Sequence, residues 1–332
     1  MPNRRTFVGA CAAGATMLAA RVYAQPGGKV VRVGVVSLRT PDRAHEMNVP
    51  LFQGLRERGY VEGRNLEIDF PDAQGREERL PALAAELVRR KVDLILVVGP
   101  AAMAPAFQAT KTIPIVMVGG SVDPVGEGIA ASLARPGGNV TGLAYAEPDR
   151  FKKQLELLKT AAGRVTRVSV LWDFDIAIYK RDWQAPLASA GKALGIEIVD
   201  PVVVAAVGDL AAAFETMRQR KVDAFQVAAG GVLLSARHRV AELALKHRLP
   251  GIAAFREFPQ AGLLMSYGPD LADINRRAGG FVDRIVKGAK PGEIAIELPA
   301  KFDLVINQKT ARVLGIVVPQ PVLMRATDVI ET

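Results

Sequence analysis

Three histidines and one cysteine are all the imidazole and thiol in this chain of 332 residues. His238 and His247 stand nine residues apart and share no helix face, while His45 stands alone. No stretch reads HExxH, GxSxG or GxxxxGK[ST], so a zinc peptidase, a hydrolase nucleophile elbow and a nucleotide P-loop all lack their residues. GEGIAA at Gly126 to Ala131 fits GxGxxA by letter only, because it does not follow the first strand, where a dinucleotide site needs it. Catalysis is therefore not expected, and no cofactor or metal is expected either. The chemistry that remains is recognition, and it gathers where short apolar runs end.

Ser37, Leu38 and Arg39 follow the first such run. Gly99, Pro100 and Ala101 follow the third, and small residues ahead of a helix leave backbone N–H groups open to an anion. Gly120, Ser121 and Asp123 follow the fourth; the Ser121 hydroxyl either donates to a ligand carboxylate or caps the next turn. Tyr145 closes the first half. In the second half, WDFDIAIY offers Asp173 and Asp175 as acceptors for an amine. There Phe174 and Tyr179 either cover an apolar group or belong to the core and to a helix face. Ala228 and Ala229 match the small-residue loop of the first half. Arg256, in FREF, either pairs with a carboxylate or forms a salt bridge with Glu257 or Asp270. Such a set suits a small zwitterion or carboxylate with an apolar part.

These loops need elements to hold them, and the sequence supplies the elements twice. RKVD occurs at Arg90–Asp93 and again at Arg220–Asp223. Around it, VVRVGVVSL is matched by VTRVSVLWD, NLEIDF by GIEIVD, and TIPIVMV by RLPGIAAF, in the same order and at nearly constant spacing. Amphipathic segments lie between them, such as REERLPALAAELVRRK and DLAAAFETMRQRK. Strands alternating with helices predict βαβ units, so each half is read as a doubly wound parallel sheet. The two lobes would face each other across a cleft at the carboxyl ends of their strands. Residues 25–145 are expected to form the first lobe and 146–270 the second, with 271–332 returning to complete the hinge and the first lobe. Gly126 and Gly128 are expected to lead into a helix over Ile129–Ala134, which RPGGN would end.

The first 24 residues read as an export signal: Arg4-Arg5, an apolar stretch, and a small-x-small site ending at Ala24. Arg4-Arg5 followed by Thr6-Phe7-Val8 resembles a twin-arginine start. Cys11 lies within it, and too few apolar residues precede Cys11 for a lipidation site, so no lipid anchor is expected. The mature chain then has no cysteine and no disulfide. The net charge of +9 is dispersed over helices that also carry acids, and no basic arm exists, so nucleic acid is not an expected partner.

DPVGEGIAASLARPGGNVTG, from Asp123 to Gly142, closely resembles the signature region of the ABC-transporter substrate-binding proteins with a type I periplasmic fold, a family that includes tryptophan-binding lipoproteins. GYVEGRNLEIDF and LPALAAELVRRKVDLILVVG resemble it too. The resemblance implies a monomeric periplasmic receptor that closes on a small organic solute and passes it to an ABC permease in the membrane. An extracytoplasmic sensor for a signalling partner is the main alternative. A two-lobed enzyme such as a glycosyltransferase or racemase ranks lower, and a repressor domain would need a helix-turn-helix where the export signal stands.

Overall fold

The computed structural model describes residues 30–331 apart from 40, 43–47, 120–122, 146–149, 174–179, 181–182, 229 and 300. Residues 1–24, expected to be an export signal, with Cys11 among them, and His45 lie outside the described residues.

The first sheet has five parallel strands in the order β2-β1-β3-β4-β5. They are β1 (Val31–Ser37), β2 (Leu66–Asp69), β3 (Leu94–Val98), β4 (Ile115–Val118) and β5 (Val140–Leu143). Every residue of β3 is buried, and its alternation explains why. Leu94, Leu96 and Val98 face one apolar layer, while Ile95 and Val97 face the other.

The second sheet contains β6 (Arg167–Trp172), β7 (Glu197–Ile198), β8 (Val202–Val203), β9 (Ala224–Ala228), β10 (Gly251–Ala253), β11 (Met265–Pro269), β12 (Phe302–Asn307) and β13 (Asp328–Ile330). Its order is β13-β12-β11-β10-β9-β6-β7, with β8 paired to β6 beyond β7. Only the β11–β12 pair is antiparallel among the described strand pairs. The chain is thus built of two α/β lobes, the type I periplasmic binding architecture.

The repeated RKVD has the same physical job in both lobes. Lys91 and Lys221 adopt the left-handed conformation, with φ of 55° and 54°, that stops the preceding helix. Val92 and Val222 are buried. The aspartate then clamps the start of the lobe's first strand: Asp93 Oδ2 accepts from the N–H of Arg32 (2.8 Å), and Asp223 Oδ1 accepts from that of Arg167 (2.9 Å). Arg32 and Arg167 sit opposite Glu67 and Glu197 in parallel register, and each pair forms an ion pair. The matching spacings in the sequence are therefore one structural device used twice.

Three chain segments link the lobes: Tyr145 to Arg150, Pro269 to Leu271, and Leu298 to Phe302. The return segment does not stay where the sequence pattern put it. Residues 271–298 cover the first lobe, but β12, β13 and the helices Gln308–Leu314 and Gln320–Leu323 belong with the second. The apolar faces of β11 and β12 decide this, because the two strands pair over five residues, Met265 to Pro269 against Ile306 to Phe302.

The expected helix over Ile129–Ala134 is absent; bends and irregular backbone run there instead. Gly128 is left-handed (φ +70°), which breaks a helix at its start. The stretch has another use. Leu133 C=O accepts from Ile296 N–H (2.8 Å), and Gly137 N–H donates to Gly292 C=O (3.0 Å), so the signature region seats the returning chain.

The helix Leu271–Val286, here called the hinge helix, begins where the second lobe hands the chain back. Asp270 caps it by accepting from Ala272 N–H (2.8 Å) and Asp273 N–H (3.1 Å). It crosses the helix Val49–Glu57 at near-backbone contact. A Cβ on Gly54 would lie 1.9 Å from the Arg276 carbonyl oxygen, and one on Gly279 would lie 2.2 Å from the Gly54 carbonyl oxygen. Gly54→Ala must push the helices apart and is expected to cost roughly 2 kcal/mol or more in chemical denaturation, as overpacking does. Gly280→Ala, beside the crossing, meets nothing closer than Arg58 Nη2 at 3.5 Å and should be neutral or mildly stabilising.

Candidate functional site

The carboxyl ends of both sheets converge on the gap between the lobes, as in other open α/β sheets that hold ligands. At the end of β1, Ser37 is buried and its Oγ accepts from the N–H of Arg39 (3.0 Å), which fixes the turn out of the strand. Leu38 then reaches the other lobe: a Cβ on Gly231 would lie 2.8 Å from Leu38 Cδ1. Tyr145, half-buried, packs at a tilt against Phe255 of the second lobe, with ring centroids 5.8 Å apart and an interplanar angle of 47°. Gly119 makes room for it, since a Cβ there would meet the Tyr145 ring at 2.2 Å. The two lobes are in contact here.

A cavity of about 180 Å³ opens at this junction. Arg39 and Pro50 line it from the first lobe, Glu257 and Gln260 from the second, and Leu271, Ala272 and Asn275 from the hinge helix. Arg39 Nη1 donates to Asn275 Oδ1 (3.1 Å). Asn275 is held in turn by donating from Nδ2 to the Leu271 carbonyl (2.6 Å). Burial lowers the pKa of Arg39 from its usual value, and the neighbouring Tyr145 and Glu257 pull it back up. Burial likewise raises Glu257, opposed by its own backbone N–H and by Arg39. The Tyr145 phenol is pushed up to about 12, first by burial. Glu257 Oε2 is buried and accepts no hydrogen bond.

Other residues singled out in the sequence go elsewhere. Gly99 (φ +87°) opens the turn Pro100–Ala102, but its N–H donates to Val118 C=O (3.3 Å) and Pro100 has none. An anion cradle there loses its first two donors. Ala101 packs against the first-lobe core. Asp123 is exposed, and its Oδ1 accepts from Gly126 N–H (2.9 Å), closing a local turn. Ala228 is buried in the second-lobe core. Arg256 is bonded to Asp328 (2.8 Å) and Asp303 (3.4 Å), not to Glu257 or Asp270, so its charge ties the loop after β10 to β12 and β13. Gly120, Ser121, Phe174, Asp175, Tyr179 and Ala229 lie outside the described residues.

Glu257, Gln260 and Asn275 were not singled out from the sequence. Asn275 left a trace there: it interrupts the apolar stripe of Leu271, Ile274 and Ala278, and a polar residue on a buried face needs a partner.

The profile of the family described as ABC transporter substrate binding protein matches residues 32–330. The chain belongs to the ABC transporter substrate-binding protein family. A protein named tyrosine-binding protein from Clostridioides difficile (strain R20291) is 26% identical over 287 residues, 86% of this chain and 81% of that protein. A conserved domain protein from Vibrio cholerae superposes with a TM-score of 0.81 at 28% identity, covering 91% of this chain and 100% of that one. The ABC domain in complex with L-Trp from Streptococcus pneumonia superposes with a TM-score of 0.80 at 25% identity, covering 90% and 99%.

In this substrate-binding protein Asp173, at the end of β6, works within the fold. Its Oδ1 accepts from Gly230 N–H (2.6 Å) and its Oδ2 from Leu233 N–H (2.8 Å), which caps the helix Gly231–Ser235. Burial outweighs these two donors and pushes the carboxyl from 3.8 up to about 7, with a further push from Glu77 of the first lobe. The folded protein therefore holds this proton more tightly than the unfolded chain. Stability from this group is fullest below the ordinary aspartate range and falls as pH rises through about 7. The melting temperature is expected to drop from pH 5 to pH 8, and Asp173→Asn should flatten that drop.

Proposed function

We propose that this substrate-binding protein is the extracytoplasmic receptor of an ABC import system, closing its lobes on a small organic solute and delivering it to a membrane permease. The solute is an amino acid or an aromatic carboxylate. One observation carries the reading: a single cavity draws its walls from the first lobe, the second lobe and the hinge helix, with the half-buried Arg39 in its lining. A ligand there touches every part that moves on closure, so its binding energy favours the closed state. Arg39 supplies the charge for a carboxylate. The names of the relatives, with tyrosine in one case and L-Trp in the other, support an amino-acid ligand. The export-signal pattern at the N-terminus supports a location outside the cytoplasm.

The test is calorimetry and thermal shift on the purified mature protein with amino acids, aromatic acids, sugars and polyols. Amino acids or aromatic acids are expected to raise the melting temperature. Arg39→Ala is expected to weaken the best of them about 10- to 100-fold, the range for losing hydrogen bonds to a charged group. Stabilisation by sugars or polyols alone would overturn the ligand class.

A further inference from the structure

The three connections between the lobes are fastened together twice, once on each side of the gap. On the second-lobe side Pro269 pairs with Phe302 and Gly268 with Asp303, which holds the second connection to the third. Gln154 is buried in the helix Arg150–Ala162, which receives the first connection. Its Nε2 donates to the carbonyls of Tyr267 (2.7 Å) and Ala253 (3.1 Å), so the first connection is held there too.

On the first-lobe side a single residue does this. Glu297 stands just before the third connection. Its N–H donates to Gly142 C=O (2.8 Å) and its C=O accepts from Ala144 N–H (3.0 Å), which joins the third connection to the first along β5. Its carboxylate pairs with Arg277 and, at 3.4 Å, with Arg284. Both arginines stand on the hinge helix, about two turns apart, and that helix begins at the second connection. Each is oriented by a contact of its own. Arg277 Nη1 lies 3.5 Å from Asp273, and the Arg284 guanidinium lies over the Phe281 ring at 4.2 Å. The carboxylate thus enters between two cations already set in place.

Little chain is left between the two fastenings. Asp270 alone separates β11 from the hinge helix, and Leu298 to Lys301 separate Glu297 from β12. Connections fastened at both ends bend over the same short span, which confines rotation of the lobes to one axis. Without its carboxylate, residue 297 would keep its backbone bonds to β5 but lose its tie to the helix. The third connection could then bend out of step with the second.

We propose that Glu297 is the positioning residue of the hinge: its carboxylate couples the third connection to the hinge helix, so that the three connections bend as one. This rests on the receptor reading above, which needs lobes that move, and adds what guides their motion.

The experiment is pulsed electron–electron resonance between nitroxides at two exposed positions, one on each lobe. They are introduced as Ala82→Cys and Ala211→Cys, with Cys11→Ser to remove the native thiol. Glu297→Ala is expected to broaden the distribution of interlobe distances by about 1.5-fold or more, as loss of a hinge constraint does. Glu293→Gln is the control: Glu293 pairs with Lys290 in its own turn (3.3 Å), and its loss is expected to leave the width unchanged. With Glu297 in place, raising NaCl from about 20 mM to about 500 mM is also expected to broaden the distribution, because the three side chains are partly exposed and their attraction is screened. Glu297→Ala is expected to lack that response. Equal widths with Glu297 and with Glu297→Ala overturn the assignment, as does an equal response of both to salt. A width that salt leaves unchanged when Glu297 is present overturns it too, and needs no variant at Glu297 to fold. The receptor reading is judged by the calorimetric screen and stands or falls separately.

Discussion

The backbone contact between the helices at Gly54 and Gly279 is the constraint on which the rest of the molecule depends. At that distance no side chain intervenes, so the hinge helix has one depth and one register on the first lobe. Register matters because Asn275 lies one turn before Gly279, and Asn275 is the residue that meets Arg39. Leu271 and Ala272, a turn earlier still, form the wall that faces the second lobe. The contact of two glycines thus carries through one helix to the geometry of the cavity.

Around that cavity the arginines have divided roles. Arg256 is neutralised by Asp303 and Asp328 within its own lobe and acts as a brace between the loop after β10 and the two last strands. Arg39 donates to the amide of Asn275 and lies near Tyr145 and Glu257, where the two lobes meet. The same side chain braces one lobe at Arg256 and meets the hinge helix at Arg39, and the neighbours decide which. Asp173 makes the same point among the acids, since two backbone donors hold it to the fold.

Much of the architecture was legible in the sequence because it rests on local patterns. Buried parallel strands read as β-branched runs, and RKVD read as a repeat because one strand clamp is built twice. The fate of residues 302–330 was not legible, because antiparallel pairing of β12 with β11 is a choice between two available sheet edges and leaves no periodic mark. The Ile129–Ala134 segment misled because its small and apolar residues suit a helix, while its partner, the chain near Gly292, lies far away in sequence. Of the residues singled out at strand ends, Arg39 lines the cavity, while Leu38 and Tyr145 lie at the contact between the lobes. Glu257 and Asn275 were missed because their importance comes from facing Arg39, a relation made by three separate parts of the chain.

The three crossings between lobes have a bearing on how the molecule comes into being. Leu51 and Leu55 are buried against Ile274, Ala278, Phe281 and Val282, which follow them by more than two hundred positions. A nascent chain halted at β11 has made all five strands of the first sheet but leaves that leucine face wet. Neither lobe has its full set of packing partners until the chain beyond Leu271 is made, because residues 271–298 complete the first and residues 302–330 the second.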